Sequence, residues 1–246
     1  MTILLSFIIS TKNSSYRLPY LLQSIVYAKL SFSFEILIAD CCSSDNTLEV
    51  VSNYRSHLPL KVVSFADTGI YNAWNKAVLV ANGKWALFLG DDDELIYDER
   101  FSQILTKLSS IELFSCYDLI AFSSIKVLPD EDKRVEAFYS YKNMWRGMPF
   151  CHGSSLIKLD ILRNNSYDEN YKIISDYAFF TKVKLTPYID NTLTLTRIGM
   201  NGVSNRKIFL IFREVFDFHF KIYKNPCKLL YLPLKILIRG LIRKNV

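Results

Sequence analysis

The chain has 246 residues, of which half are apolar, 22% charged and 14% aromatic, and it carries a formal net charge of +6. Such an apolar fraction excludes a disordered chain, and a chain this long can bury a core of its own, which excludes a disulfide-stapled miniprotein. The five cysteines are odd in number and form no CxxC pair, against a zinc knuckle or a redox motif and in favour of reduced thiols in a cytosolic protein.

In chain order, Leu4–Ser10 reads as a short buried strand rather than a signal peptide, because no basic residues precede it. Helical spacing follows over Arg17–Leu30, with Leu18, Leu21, Leu22, Ile25 and Val26 on one face. Glu35–Ala39 is a second strand that stops at Asp40, and Ser44 or Asp45 is placed to cap a helix through Val51. A third strand over Lys61–Phe65, a helix over Ile70–Asn82 and a fourth strand over Trp85–Leu89 complete the repeating pattern. Strands alternating with helices predict an α/β fold with a mostly parallel sheet, whose ligand site lies beyond the carboxyl ends of the strands. Further on, a helix, a strand over Leu119–Leu128, a charged loop and a helix over Asp176–Val183 are expected.

The charge divides the chain. Residues 206–246 hold ten Lys/Arg against Glu214 and Asp217, whereas residues 1–205 hold 20 basic and 22 acidic residues. We therefore expect a catalytic domain over 1–205 and a basic amphipathic helical tail over 206–246. The run LLYLPLKILIRGLI is broken by Pro233, Lys235, Arg239 and Gly240, so it fits an interfacial segment better than a membrane span. The alternative is a helix that packs on the domain.

Polar residues collect at the expected strand ends. Thr11, Asp40 and the triplet Asp91-Asp92-Asp93 all sit there. Three adjacent carboxylates repel one another, and a hard divalent cation offsets that repulsion; a solvated acidic turn is the plain alternative. Lys76 is placed to meet phosphate or solvent, His152 to serve the site or the core, and Asp176 to act as an acid–base group or as a helix N-cap. There is no GxxxxGK[ST], no GxGxxG after the first strand, no GxSxG and no HExxH.

Taken together, SFIISTKN, FEILIADCCSSDNT, DTGIYNAWNKAVLVANGKWALFLGDDDEL, MPFCHGSSLIK and YDENYKIISDYAFF resemble, in order and spacing, the motifs of family 2 glycosyltransferases. These are inverting enzymes of the type-A glycosyltransferase fold, and the resemblance covers roughly residues 3–183. By position it implies that Thr11, Asp40, Asp67, Lys76 and Asp91 serve the nucleotide. It implies that Asp92, with Asp93 beside it, holds Mn²⁺ or Mg²⁺, that Asp176 is the catalytic base, and that His152 supports the acceptor. The chain departs from the family pattern at Asn72, Ala77, Gly90 and Gly153. The implied reaction moves a sugar from a nucleotide diphosphate sugar to an acceptor hydroxyl. The leading acceptor is a lipid-linked glycan of bacterial surface polysaccharide, at the inner face of the cytoplasmic membrane. The tail would meet an anionic membrane surface, not nucleic acid. A sugar-nucleotide pyrophosphorylase and a non-catalytic membrane-surface binding module are the rival readings.

Overall fold

The computed structural model describes residues 2–64, 68–110, 116–128, 131–199 and 207–244. Its first part is the expected alternation: β1 (Leu5–Thr11), α1 (Leu18–Tyr27), β2 (Phe34–Asp40), α2 (Thr47–Asn53), β3 (Leu60–Ser64), α3 (Ile70–Val80) and β4 (Trp85–Leu89). Then come β5 (Glu94–Leu95), α4 (Glu99–Ser110), β6 (Leu119–Lys126), β7 (Lys133–Val135), β8 (Ser155–Lys158), α5 (Leu159–Asn164), α6 (Ser175–Lys182) and β9 (Pro187–Ile198). The tail forms α7 (Ile208–Ile222) and α8 (Pro226–Lys244).

The described strands form one sheet in the order β3-β2-β1-β4-β8-β6-β9-β5, with β7 on β6. The β3-β2-β1-β4 half is parallel throughout, as the βαβ pattern requires. Beyond β4 the sheet becomes mixed: β8 runs antiparallel to both β4 and β6, while β6 and β9 are parallel. The central strands are buried on both faces, which is why they read as unbroken apolar runs. Their period of two splits the core into two layers. Ile8, Leu37 and Phe88 face the layer of α3, α5 and α6. Phe7, Ile38 and Leu87 face the layer of α1, α2 and α4.

The two helices of the tail pack on the rest of the fold through one face. Val215 and Phe218 of α7 and Leu232 of α8 lie in the same core layer as α3 and α6. The rings of Trp145 and Tyr231 meet at 5.1 Å, and His219 Nε2 lies 2.7 Å from the Tyr177 hydroxyl. Composition averaged over both faces of these helices and so hid an inner face that completes the catalytic domain. The outer face keeps Phe209, Phe216 and Phe220 exposed.

Candidate active site

In each βα unit the helix starts at the carboxyl edge of the sheet and carries the chain back to the amino edge, so the starts of α1, α2 and α3 share the carboxyl edge with the ends of β1, β2 and β4. The register of β1 on β2 sets Thr11 directly opposite Asp40. Thr11 Oγ1 donates to Asp40 Oδ1 at 2.9 Å, and Asp40 Oδ2 accepts the Ser43 amide at 2.9 Å. The two loops that leave these strands are knitted together. Asn13 N–H donates to Ser43 Oγ at 2.9 Å, Asn13 Oδ1 accepts the Ser44 amide at 2.9 Å, and the Ser14 amide donates to Thr47 Oγ1 at 2.7 Å. Asp45 accepts the amides of Ser15 and Thr47, each at 3.1 Å. The Thr47 side chain and those amides hold its carboxyl at about 2, well below the ordinary value, so it stays ionised at the start of α2.

The three aspartates after β4 have three different surroundings. Asp91 takes the Arg17 guanidinium at 2.5 Å through Nη2 and at 3.2 Å through Nε, and the Ser14 hydroxyl also donates to it. Its charge is thus shared with the start of α1. Asp92 lies against Gly199 at the end of β9, where an added Cβ would stand 2.4 Å from the Asp92 Oδ2 and from its carbonyl oxygen. Asp93 turns inward: its Oδ2 accepts the Gly90 amide at 2.7 Å and its Oδ1 the Gly199 amide at 3.0 Å. Burial, partly opposed by those two amides and reinforced by the neighbouring Asp92 and Asp91 charges, raises its carboxyl to about 7. Gly90 stands where many family members carry an acid. A side chain there would meet Asp92 Oδ1 at 3.2 Å and Asp93 Oδ2 at 3.3 Å, so the departure relieves crowding between carboxylates.

Asp176 lies on the same edge, on the α3 side. It occupies the first turn of α6 behind Ile174, so it is not the N-cap. Its Oδ1 accepts the Tyr177 amide at 2.8 Å and lies 3.1 Å from the hydroxyl of Tyr71, in the first turn of α3. Burial raises its carboxyl above the ordinary value, against the lowering effect of these contacts. A small depression of about 170 Å³ opens beside Tyr71, between the start of α3 (Thr68–Asn72) and Glu169, Tyr171 and Lys172.

His152 and Lys76 each have partners of their own. His152 is a core group: it stacks on Phe88 at 5.0 Å, contacts Trp74 and shares a 2.9 Å hydrogen bond with the Tyr167 hydroxyl. Burial pushes its imidazole down to about 3, so it is neutral at physiological pH. Lys76 acts on Glu169, together with Asn72 and Asn75, which donate to that carboxylate at 2.8 and 2.9 Å. Asp67 lies outside the described residues. Reading from sequence missed Arg17, Tyr71 and Glu214. Tyr71 belongs to a motif already noted, but Arg17 and Glu214 acquire meaning only through contacts 74 and about 40 residues away.

Among the described residues no set of three His, Cys, Asp or Glu side chains gathers as a ready-made cation cage. A hard cation held by only one or two carboxylates takes its remaining oxygen ligands from phosphate and water.

Comparison with known proteins bears on the family and the fold. A glycosyltransferase of PGL/p-HBAD biosynthesis from Mycobacterium tuberculosis is 35% identical over 101 residues, spanning 40% of this chain and 39% of that protein. The poly(ribitol-phosphate) beta-N-acetylglucosaminyltransferase TarS of Staphylococcus aureus is 38% identical over 93 residues, 36% of this chain and 16% of that one. The chain thus aligns with well under half the length of these relatives. Among solved structures, residues 1–349 of S. aureus TarS with UDP-GlcNAc superpose with a TM-score of 0.69 at 19% identity, covering 97% of this chain and 72% of that one. A mannosyltransferase from Pyrobaculum calidifontis with GDP-Man and Mn²⁺ gives 0.62 at 15% identity, covering 93% and 67%. Both carry the same sheet and flanking helices. The sequence model of Glycosyl transferase family 2 matches residues 6–157, from β1 through β8 and so across Thr11, Asp40 and the aspartate triplet. The chain belongs to glycosyl transferase family 2.

Proposed function

We propose that the chain is an inverting, cation-dependent glycosyltransferase that takes a sugar from a nucleoside diphosphate sugar and passes it to the hydroxyl of a lipid-linked glycan. The observation that carries this reading is the carboxyl edge itself. There the Thr11–Asp40 pair and its knitted loops form a polar shelf beside Asp91–Asp93, and Asp176 faces the same edge with a raised pKa.

In this reading the nucleoside lies on the shelf, with Asp40 accepting from its N–H or hydroxyl groups. Asp92 would hold Mn²⁺ or Mg²⁺, and Asp93, anchored by two backbone amides, fixes the turn that carries Asp92. When bound, the cation supplies charge neutralisation for the departing diphosphate. Asp91 keeps its partner Arg17 beside that diphosphate, so the local charge is balanced. Asp176 takes the proton of the acceptor hydroxyl as its oxygen attacks the anomeric carbon, and a single displacement inverts that centre. Only the ionised carboxylate accepts that proton. Because burial raises its pKa, turnover should rise with pH through a limb above the ordinary aspartate range.

The membrane part of the proposal rests on the outer face of α7. Phe212, Phe216 and Phe220 stack at 6.2 and 6.4 Å, and Phe209 and Phe220 are 58% and 68% exposed. Arg213, Lys221 and Lys224 flank them, an arrangement that suits an anionic lipid surface. Among the described residues no helix is long and apolar enough to cross a membrane. Peripheral attachment at the inner face of a bacterial cytoplasmic membrane follows from this reading.

The test is donor turnover. UDP-GlcNAc and GDP-mannose are incubated with the protein and Mn²⁺, and the anomeric form of the first-released sugar is read by proton NMR. The expected product is inverted, and Asp176→Asn slows its release by about 10²-fold with donor binding retained. Retention of configuration, or near-normal turnover by Asp176→Asn, would sink the mechanism.

A further inference from the structure

A buried carboxylate from the tail reaches the catalytic segment. Glu214, on the inner face of α7, is 6% exposed. Its Oε1 accepts the Lys172 amide at 2.8 Å, and its Oε2 accepts the amides of Ile173 at 3.0 Å and Ile174 at 3.3 Å. These three amides immediately precede α6, whose first turn carries Asp176. A carboxylate at that place is favoured by the hydrogen bonds and by the positive end of the helix.

One peptide unit links the two ends of this arrangement. The amide joining Ile173 to Ile174 donates its N–H to Glu214 and receives the Tyr71 hydroxyl on its carbonyl oxygen at 2.6 Å. The same hydroxyl lies 3.1 Å from Asp176 Oδ1. A phenol has one proton. That proton is shared between the two acceptors, with the Ile173 carbonyl at the shorter distance and the Asp176 carboxylate at the longer one. If the peptide were released, the Ile173 carbonyl would no longer compete for that proton, the hydrogen bond to Asp176 would strengthen, and the carboxylate would become a weaker base.

We propose that Glu214 is a positioning residue for transfer: from the tail helix it clamps the peptide before α6, which keeps the Tyr71 hydroxyl shared between the Ile173 carbonyl and Asp176 and holds Asp176 in place as the base. The inference rests on the reading of Asp176 as that base. It also gives the tail a part in the chemistry that its basic composition does not express. Tyr71 from α3 and Tyr167 from the loop after α5 both act on Asp176, and Tyr71 also contacts the peptide that Glu214 holds.

The experiment compares the full-length wild type with Glu214→Gln, Glu214→Ala and Asp176→Asn. Two readings are made: release of nucleoside diphosphate from UDP-GlcNAc and GDP-mannose with Mn²⁺ across pH, and a carbon-13 NMR titration of the Asp176 carboxyl, identified by its loss in Asp176→Asn. Glu214→Ala should lower kcat about 10-fold or more with the donor KM unchanged, and Glu214→Gln, which keeps one acceptor oxygen, should fall between it and wild type. In both, the acid limb and the Asp176 titration should move to lower pH. The NMR titration reads the effect whether or not either donor is turned over, and Glu214→Gln decides the question if the alanine variant does not fold. If Glu214→Gln titrates and turns over as wild type does while Asp176→Asn is inactive, the positioning role is wrong and the base reading stands. If Asp176→Asn stays active, the base reading itself fails. A fall in kcat accompanied by an equal loss of donor binding, with the titration unmoved, would mark Glu214 as merely structural.

Discussion

Acidification offers a clean way to weigh His152. Its imidazole sits at about 3 in the folded protein against an ordinary value of 6.5, and burial is the cause. A depressed folded pKa contributes stability above the unfolded value that is lost as the pH falls toward the folded one. Between pH 6.5 and 5 the loss from this one group is about 2 kcal/mol, at 1.36 kcal/mol per unit. The wild-type curve alone does not isolate it. Asp93, raised to about 7, contributes with the opposite sign over the same range: it takes up its proton in the folded state first and favours folding as the pH falls. The difference between wild type and His152→Phe removes that background. Phenylalanine keeps the stack on Phe88 but leaves the Tyr167 hydroxyl without its partner, a pH-independent cost of about 1–3 kcal/mol. Urea unfolding followed by tryptophan fluorescence, with Trp74 5.0 Å from the imidazole, measures both proteins at pH 7.5 and pH 5. The stability gap between them should narrow by about 2 kcal/mol at the lower pH. An unchanged gap would mean that the imidazole is not held neutral in the core, and the assignment of His152 to packing rather than to the acceptor would fall with it.

Gly199→Ala should displace Asp92, because the new methyl would stand 2.4 Å from its carboxylate and carbonyl. We expect a modest stability loss of about 1–3 kcal/mol and a much larger drop in Mn²⁺-dependent nucleotide binding, read by calorimetry; unaltered binding would refute the contact. On the outer face of α7, Phe216→Ser with Phe220→Ser should cut co-sedimentation with anionic vesicles several-fold while leaving the thermal midpoint near wild type. Equal vesicle binding by both proteins would argue against the aromatic stripe as the membrane face.

Much of the first half of the fold was legible because parallel strands buried on both faces write themselves as apolar runs, and Ile8, Leu37 and Phe88 alternate with Phe7, Ile38 and Leu87 between two layers. The strand ends carried Thr11, Asp40 and Asp91–Asp93 in plain view. β9 was not identified as one long strand, since only Thr192–Thr196 alternates threonine with the buried Leu193 and Leu195, while Pro187–Asn191 is half-buried without that pattern. The differing environments of the three aspartates could not be read at all. They depend on Arg17, Gly199 and the Gly90 amide, which local pattern does not connect to the triplet. The inner face of the tail was hidden for a related reason: Glu214 and Phe218 face inward while Phe216 and Phe220 face out, and a count of charges treats both faces alike.

The claim on which the account depends most is that Asp92 couples a divalent cation to a nucleoside diphosphate at the carboxyl edge of the sheet. Calorimetric titration of UDP and GDP into wild type and Asp92→Ala, each with and without Mn²⁺, tests it directly. The account predicts that Mn²⁺ tightens binding of at least one nucleotide to the wild type by 10-fold or more, on the order expected for direct charge neutralisation, and that Asp92→Ala loses this gain while its unfolding midpoint is unchanged. Cation-dependent tightening that persists in Asp92→Ala, or nucleotide binding indifferent to Mn²⁺ in the wild type, would contradict it.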